Sequence, residues 1–270
     1  MIKKLLWVFK RHPFLYIARF KLLSKNSSIE DIDKICYNDL NPKNHIPDYF
    51  KEVNNIIFSA HKPESDLELV KTLNIWLNNN IKGGPGLSEP SENALKIMLE
   101  GKGGVCSDMA QIFNNFGVIN DIKVREWGNT RAPFDESYGG HSFNEVFIKD
   151  LNKWILVDTS SSVMFYHNDM PLSVLELYQL INENKEIKFK SFNTLKVLDE
   201  NNIKRNYLNP DTIPFLVCNY SNKTYDAFLK YTRPYIPIFV THFILFIFGK
   251  SYYYRFPLGD YKKIFLKKSQ

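Results

Sequence analysis

Cysteine is scarce, and the three present, Cys36, Cys106 and Cys218, stand far apart. So sparse and odd a set builds no disulfide framework and fits a reducing compartment, which predicts a cytoplasmic setting. No two of them have the spacing of a zinc motif. Internal repeats at solenoid or propeller period are missing, as are low-complexity tracts, so repeat architectures and long disorder are excluded. The start of the chain does not read as a signal peptide, because the apolar run Leu5–Phe9 is short and is cut by Lys10 and Arg11. Long hydrophobic runs are also lacking. The strongest, Tyr235 to Phe248, contains Pro237 and His242. As a helix it would reach roughly 21 Å, against roughly 30 Å of bilayer hydrocarbon. It is therefore expected to be a buried core helix or an anchor lying in the membrane plane.

Negative charge is missing from both ends. Met1 to Lys25 holds seven basic residues and no carboxylate, and the tail after Gly249 sets six basic residues against Asp260 alone. Aromatics interleave with both, among them Trp7, Phe9 and Phe20 at one end and Tyr252, Tyr253 and Tyr254 at the other. Basic and aromatic residues together suit an anionic membrane surface. A solvated basic face with a few core aromatics is the plainer alternative. Nucleic acid is disfavoured because no recognisable motif accompanies the charge.

What is present is ample apolar material, 44% of 270 residues, with a net charge of +6. Residues 1–60 read as a basic helical extension, broken at Pro13, at Ser24–Ser28 and around Pro42–Pro47. A helix capped by Ser65 or Asp66 follows, with an apolar stripe from Leu67 to Leu77. Gly83-Gly84-Pro85-Gly86 then forces a loop, and a second helix runs from Ser91 to Gly101. A third begins at Cys106 and stops near Gly117. The period then becomes strand-like: Ile122–Trp127, Ser142–Lys149 and Trp154–Thr159, with an exposed loop at Gly128–Gly140. A helix at Leu172–Ile181 and short strands at Ile187–Phe192 and Thr194–Leu198 complete the core. Helices followed by an antiparallel sheet define an α+β class. The expected division is an extension over 1–60, a core domain over 61–210, and an aromatic, basic segment over 211–270 able to associate with a membrane.

One cysteine stands out by position. Glycines 101, 103 and 104 precede Cys106 and let the chain turn sharply into a helix. A helix N-terminus carries roughly half a positive charge and favours thiolate over thiol. Alone, Cys106 reads equally as a buried structural cysteine. His141 follows Gly139-Gly140 at the mouth of a strand, where it can serve as general base and then general acid. Asp158 lies near the end of the next strand, where a carboxylate can fix the imidazole tautomer. Separately, His141 reads as an ordinary satisfied histidine and Asp158 as a cap on Thr159 and Ser160.

Together the blocks are specific. Gly-Gly-Val-Cys-Ser-Asp-Met-Ala-Gln-Ile-Phe (103–113), His-Ser-Phe-Asn-Glu-Val-Phe-Ile (141–148) and Trp-Ile-Leu-Val-Asp-Thr (154–159) resemble the three signature blocks of the transglutaminase-like superfamily in order and spacing. The likeness covers roughly residues 60 to 165. It implies a papain-like fold and a catalytic Cys106–His141–Asp158 triad, with no cofactor and no metal. Phe143 stands where the family commonly has Trp. The acidic cluster that would match the calcium sites of animal transglutaminases is missing. A zinc site from Cys106, Asp108, His141 and Asp158 lacks a fourth strong ligand.

The implied chemistry is amide-bond hydrolysis or acyl transfer through a thioester, on a peptide, protein or other amide-containing substrate. The competing reading is a non-catalytic binding module or an accessory protein at a membrane or in surface-polymer assembly. A triad also meets a geometric obstacle. A hairpin turn centred on Leu151-Asn152 sets Asp158 opposite Glu145, four residues or roughly 13 Å along the strand from His141. An irregular connection near Lys149–Lys153 is therefore expected. For an oxyanion hole, the Cys106 N–H is one natural donor. Trp76 and Asn78–Asn80 are candidates for a second, with Trp76 read chiefly as core. Asn144 is expected to bond a neighbouring loop. Arg131, Phe134 and Tyr138 are expected to flank the site from the loop.

Overall fold

The structure, a computed structural model, describes residues 13–193 and 197–266. The basic aromatic residues before Pro13 and most of the strand expected at Thr194–Leu198 lie outside them. In chain order the elements are α1 Pro13–Leu23, β1 Ser24–Asn26, α2 Ile29–Asp33, α3 Asp48–Ile57, α4 Asp66–Asn80, α5 Ser91–Leu99 and α6 Cys106–Ile119. Then come β2 Lys123–Arg131, β3 His141–Ile148, β4 Lys153–Val157, β5 Val163–His167, β6 Met170–Pro171, α7 Val174–Asn182 and β7 Lys188–Ser191. The chain closes with α8 Glu200–Tyr207, β8 Thr212–Cys218, α9 Asn222–Thr232, α10 Ile238–Ile247 and β9 Tyr253–Phe256. Helices precede an antiparallel sheet, so the class is α+β.

The main sheet has the order β1-β9-β8-β2-β3-β4, antiparallel except for the edge pair β1–β9. Strand alternation sorts its side chains into two cores. Val124, Val146, Ile148, Ile155 and Val157 face α4 and α6 and pack with Leu73, Phe113 and Phe116. Trp127, Phe143 and Leu156 face the other way, onto α7, α8 and β5. A smaller sheet, β6-β5-β7, lies beyond.

The sheet draws on chain from well outside residues 61–210. Strand β8 pairs with β2 along six residues, and β9 carries the sheet on to β1. Much of the aromatic character after Gly249 is absorbed here: Tyr254 and Phe256 pack with Phe20 and Phe215 in a third cluster. The far segment also caps an earlier helix. Asp226 of α9 accepts the Ser91 backbone N–H at 2.7 Å and the Ser91 hydroxyl. The cap expected from the local Ser91-Glu92-Asn93 sequence is thus supplied by a carboxylate on another helix.

The exposed loop expected at Gly128–Gly140 is largely something else. Strand β2 runs on through Arg131, because β8 supplies a second partner for it. Arg131 is buried; its guanidinium donates to the Thr212 hydroxyl and the Arg205 carbonyl and lies 3.8 Å from the Tyr138 ring centre. Phe134 packs into the third cluster. These three residues brace the return to β3 rather than wave beside it.

Candidate functional site

The start of α6 is fixed by two glycine-rich segments paired to each other. Gly84 donates to the Gly104 carbonyl at 2.8 Å, and Gly104 donates to the Pro85 carbonyl at 2.9 Å. Gly104 has φ +110°, and a Cβ there would sit 2.7 Å from the Met98 methyl, so only glycine fits. Asp108 completes the cap: its Oδ2 accepts the Val105 N–H at 2.9 Å and the Leu87 N–H at 3.2 Å. That use turns Asp108 away from any zinc-ligand role. Among the described residues no group of three His, Cys, Asp or Glu side chains is arranged to hold a metal ion.

Asn144 ties helix to sheet. It is wholly buried, and its amide donates to the Ala110 carbonyl and to Asn114 Oδ1, both at 2.9 Å. Its partner is therefore α6 itself and not a neighbouring loop. The helix that begins at Cys106 is in this way pinned to the strand that begins at His141.

The register puzzle resolves at the turn. Residues Lys149–Leu151 form a single 3-10 turn and Asn152 takes the left-handed conformation, φ 46°. The resulting register pairs Asn144 with Val157 and Glu145 with Leu156. Continued by one residue, it sets Asp158 across from Phe143, on the same sheet face as His141 and two residues along the strand from it. The irregularity expected at Lys149–Lys153 exists and shortens the gap by two residues. His141 Nε2 and Asp158 Oδ2 meet at 2.7 Å.

Asp158 is fully buried and saturated with donors. Its Oδ2 also accepts the Tyr207 hydroxyl at 2.9 Å, while Oδ1 accepts the Ser160 hydroxyl at 2.7 Å and the Ser161 N–H at 3.0 Å. Burial alone would raise its pKa. The charge and hydrogen bond of His141, with Ser161, outweigh it and hold the carboxyl well below its ordinary range. His141 is also buried, which disfavours its charged form, but Asp158 and Cys106 together push it up to about 10.

The Nε2–Asp158 bond leaves the other ring nitrogen of His141 for Cys106, whose thiol feels the imidazole's charge. The Ser142 backbone N–H acts on that thiol in the same direction. Burial is the largest influence on the thiol and raises its pKa. The imidazole and the Ser142 N–H reverse the sign, so Cys106 ends below its ordinary value. The other two thiols go the opposite way: burial raises Cys36 and pushes Cys218 up to about 12. Iodoacetamide near neutral pH is therefore expected to alkylate Cys106 at least tenfold faster than either. Peptide mapping of a time course checks this, and a Cys106 rate no faster than that of a free thiol would remove the activated-thiolate reading.

Cys106 and His141 open into a cavity of about 450 Å³. Its walls include Gln111, Glu126, Tyr220, Tyr225 and His242. Glu126 is buried, and its Oε2 has no hydrogen-bond partner. Burial first, then the negative charges of Cys106 and Asp108, push its pKa up to about 8.

The candidates for a second oxyanion donor are placed elsewhere. Trp76 packs on the first core, and Trp76 and Asn78–Asn80 do not line this cavity. Asn74 and Asn78 hold the chain just after Asp158: Asn74 accepts the Thr159 hydroxyl, and Asn78 donates to the Thr159 carbonyl at 3.0 Å. Tyr207, which bonds Asp158 and meets the His141 ring edge-on at 5.6 Å, was not legible in sequence. It lies outside the family-like blocks, and its only local signal is an aromatic near a helix end.

The site thus gathers a thiol at a helix start, an imidazole at a strand start and a carboxylate bonded to that imidazole. The family model described as the transglutaminase-like superfamily matches residues 54–159, a segment that takes in all three. A solved structure described as a putative cysteine protease from Cytophaga hutchinsonii is similar over 53% of this chain and 47% of its own, at 20% identity and a TM-score of 0.37. This chain thus spans about half the length of that structure, and so slight a likeness carries no argument. No curated protein matches.

Proposed function

We propose that the protein is a cysteine-dependent amide hydrolase or acyl transferase, with Cys106 as nucleophile, His141 as acid and base, and Asp158 as the residue that orients and charges His141. The observation that carries this reading is the buried His141–Asp158 bond with Cys106 on the same cavity wall as that imidazole, its thiol pKa lowered despite burial. The Cys106 thiolate attacks the amide carbonyl carbon, forming a C–S bond, and the carbonyl π electrons move to oxygen. The helix-start N–H of Cys106 is available to that oxyanion. As the C–N bond breaks, imidazolium gives its proton to the departing amine, leaving a thioester. Water or a second amine then attacks the thioester and His141 takes its proton. The C–S bond breaks, and the products are a carboxylic acid or a new amide with the thiolate restored. No metal or redox partner is needed to balance these steps.

The test is profiling with a library of electrophilic acyl donors on the wild type and Cys106→Ala. The expected result is covalent acylation mapped to Cys106 with release of the donor's amine, absent from the variant. Acylation that persists in Cys106→Ala, or no acylation of a folded wild type by any donor, would defeat the proposal. Intact cellular function in Cys106→Ala would favour a binding module.

A further inference from the structure

We infer that the outer face of α10 is a docking surface for an anionic lipid membrane. This rests on the surface itself and not on the chemistry at Cys106. Helix α10 has ten residues, Ile-Phe-Val-Thr-His-Phe-Ile-Leu-Phe-Ile, without one charged side chain. Its inner face packs: Thr241 and Leu245 are fully buried, and Ile238 and His242 form part of the wall of the Cys106 cavity. The opposite face repeats at helical spacing and is bare. Phe239, Phe243, Phe246 and Ile247 are all exposed, Phe243 at 59% and Ile247 at 64%. Tyr235, at 85%, precedes the helix on the same spacing, and Phe248 follows it at 66%. A helix apolar all round is ordinarily buried all round. Here half of it faces out, as a contiguous patch of the kind that marks an interaction site.

The chemistry of the patch selects the occupant. A protein partner is specified by hydrogen-bonding groups set among apolar anchors, and this face between Phe239 and Phe248 offers only hydrocarbon. Bilayer interiors require nothing more. Tyrosine at the edge of such a face suits the headgroup level, where Tyr231 and Tyr235 are exposed. The charge agrees. Between Asp226 and Asp260 the sequence contains no carboxylate, while Lys230 and Lys250 are exposed on either side of the patch. Anionic headgroups complement that rim. At roughly 15 Å the helix is too short to span the hydrocarbon. Among the described residues no helix is long and apolar enough to cross a membrane. The geometry is that of a helix lying in the interface plane. The helix that walls the cavity would then be the one seated on lipid.

Flotation of the full chain with vesicles tests this. Vesicles of phosphatidylcholine plus phosphatidylglycerol are compared with vesicles of phosphatidylcholine alone. The wild type is expected to float with the anionic vesicles and to be released by high salt. Phe243→Glu with Ile247→Glu should cut the bound fraction about tenfold at an unchanged thermal midpoint, since both side chains already face water. Lys230→Glu with Lys250→Glu should weaken binding to anionic vesicles about tenfold or more. A wild type that stays unbound overturns the inference, as does a Phe243/Ile247 variant that floats as the wild type does. A dimer in solution that this variant disperses, with no flotation, overturns it in favour of a second copy of the chain.

Discussion

Asp158→Asn is expected to lower turnover of any amide or acyl substrate by on the order of 10³–10⁴ while the chain remains folded. The reason is a proton in the wrong place. Asp158 Oδ2 accepts from His141 Nε2, so the nitrogen facing Cys106 is free to take the thiol proton. Asparagine would present an N–H to the imidazole instead. Nε2 would then accept, the tautomer would reverse, and the nitrogen beside the sulfur would already carry hydrogen. The imidazolium would also lose its counter-charge, so the Cys106 pKa rises and iodoacetamide labelling slows in parallel. Labelling rate against pH separates this from misfolding: the acid limb of the profile moves to higher pH in the variant. An unchanged profile with lost turnover would contradict the orienting role.

The same pair makes a signed contribution to stability. Asp158 titrates below its ordinary 3.8 in the fold, so its share is present above that value and is lost as pH falls through the lowered one. His141 titrates above its ordinary 6.5, so its share is full below 6.5 and fades as pH rises toward about 10. The stability gap between wild type and Asp158→Asn should thus be widest between about pH 4 and 6.5 and should narrow on the alkaline side. Denaturant unfolding across that range measures it.

The site was legible in the sequence to the extent that its determinants are local. Glycines before a cysteine, a helix stripe after it and alternating strands are read within ten residues of themselves and make Cys106, His141 and Asp158 candidates; their union as a triad is what the resemblance of the three blocks implies. The irregular turn at Lys149–Leu151 was legible too, because strand arithmetic demanded it. What escaped depends on distant partners. Strand β8 was hidden because Thr-Ile-Pro-Phe-Leu-Val-Cys carries a proline, which argues against a central strand; Pro214 is nonetheless accommodated opposite Asn129. Strand β9 was hidden because Tyr-Tyr-Arg-Phe read as part of a basic aromatic tail. The Asp226 cap and the Tyr207 hydroxyl bond to Asp158 come from single side chains acting across the fold, and nothing beside them in the sequence announces their targets. Asn74 and Asn78 sat within the helix singled out for its asparagines, yet serve the segment after Asp158 instead of the cavity.

Glu126→Gln is expected to stabilise the protein by about 2 kcal/mol at pH 7, roughly thirtyfold in the folding equilibrium. Glu126 is buried beside the cavity with Oε2 unpartnered, and its pKa is pushed up to about 8. In the unfolded chain the same carboxyl titrates near its ordinary 4.5. A raised carboxyl runs opposite to Asp158. The folded state holds a proton that the unfolded state releases, so stability falls as pH rises from about 4.5 to about 8. The shift alone sets a ceiling of roughly 3 kcal/mol at pH 7, and the glutamine amide, which needs a partner of its own, brings the net gain lower. The gain should vanish below pH 4.5, where glutamate is protonated in both states. It should also shrink in a Cys106→Ala background, because the negative charge of Cys106 is one of the groups holding the glutamate protonated. Tyr37 and Tyr220, whose own titration is raised partly by Glu126, stay neutral throughout this range. A double-mutant cycle over Cys106→Ala and Glu126→Gln at two pH values reads both effects. A gain independent of pH and of Cys106 would mean that Glu126 is destabilising for reasons of packing and not of charge.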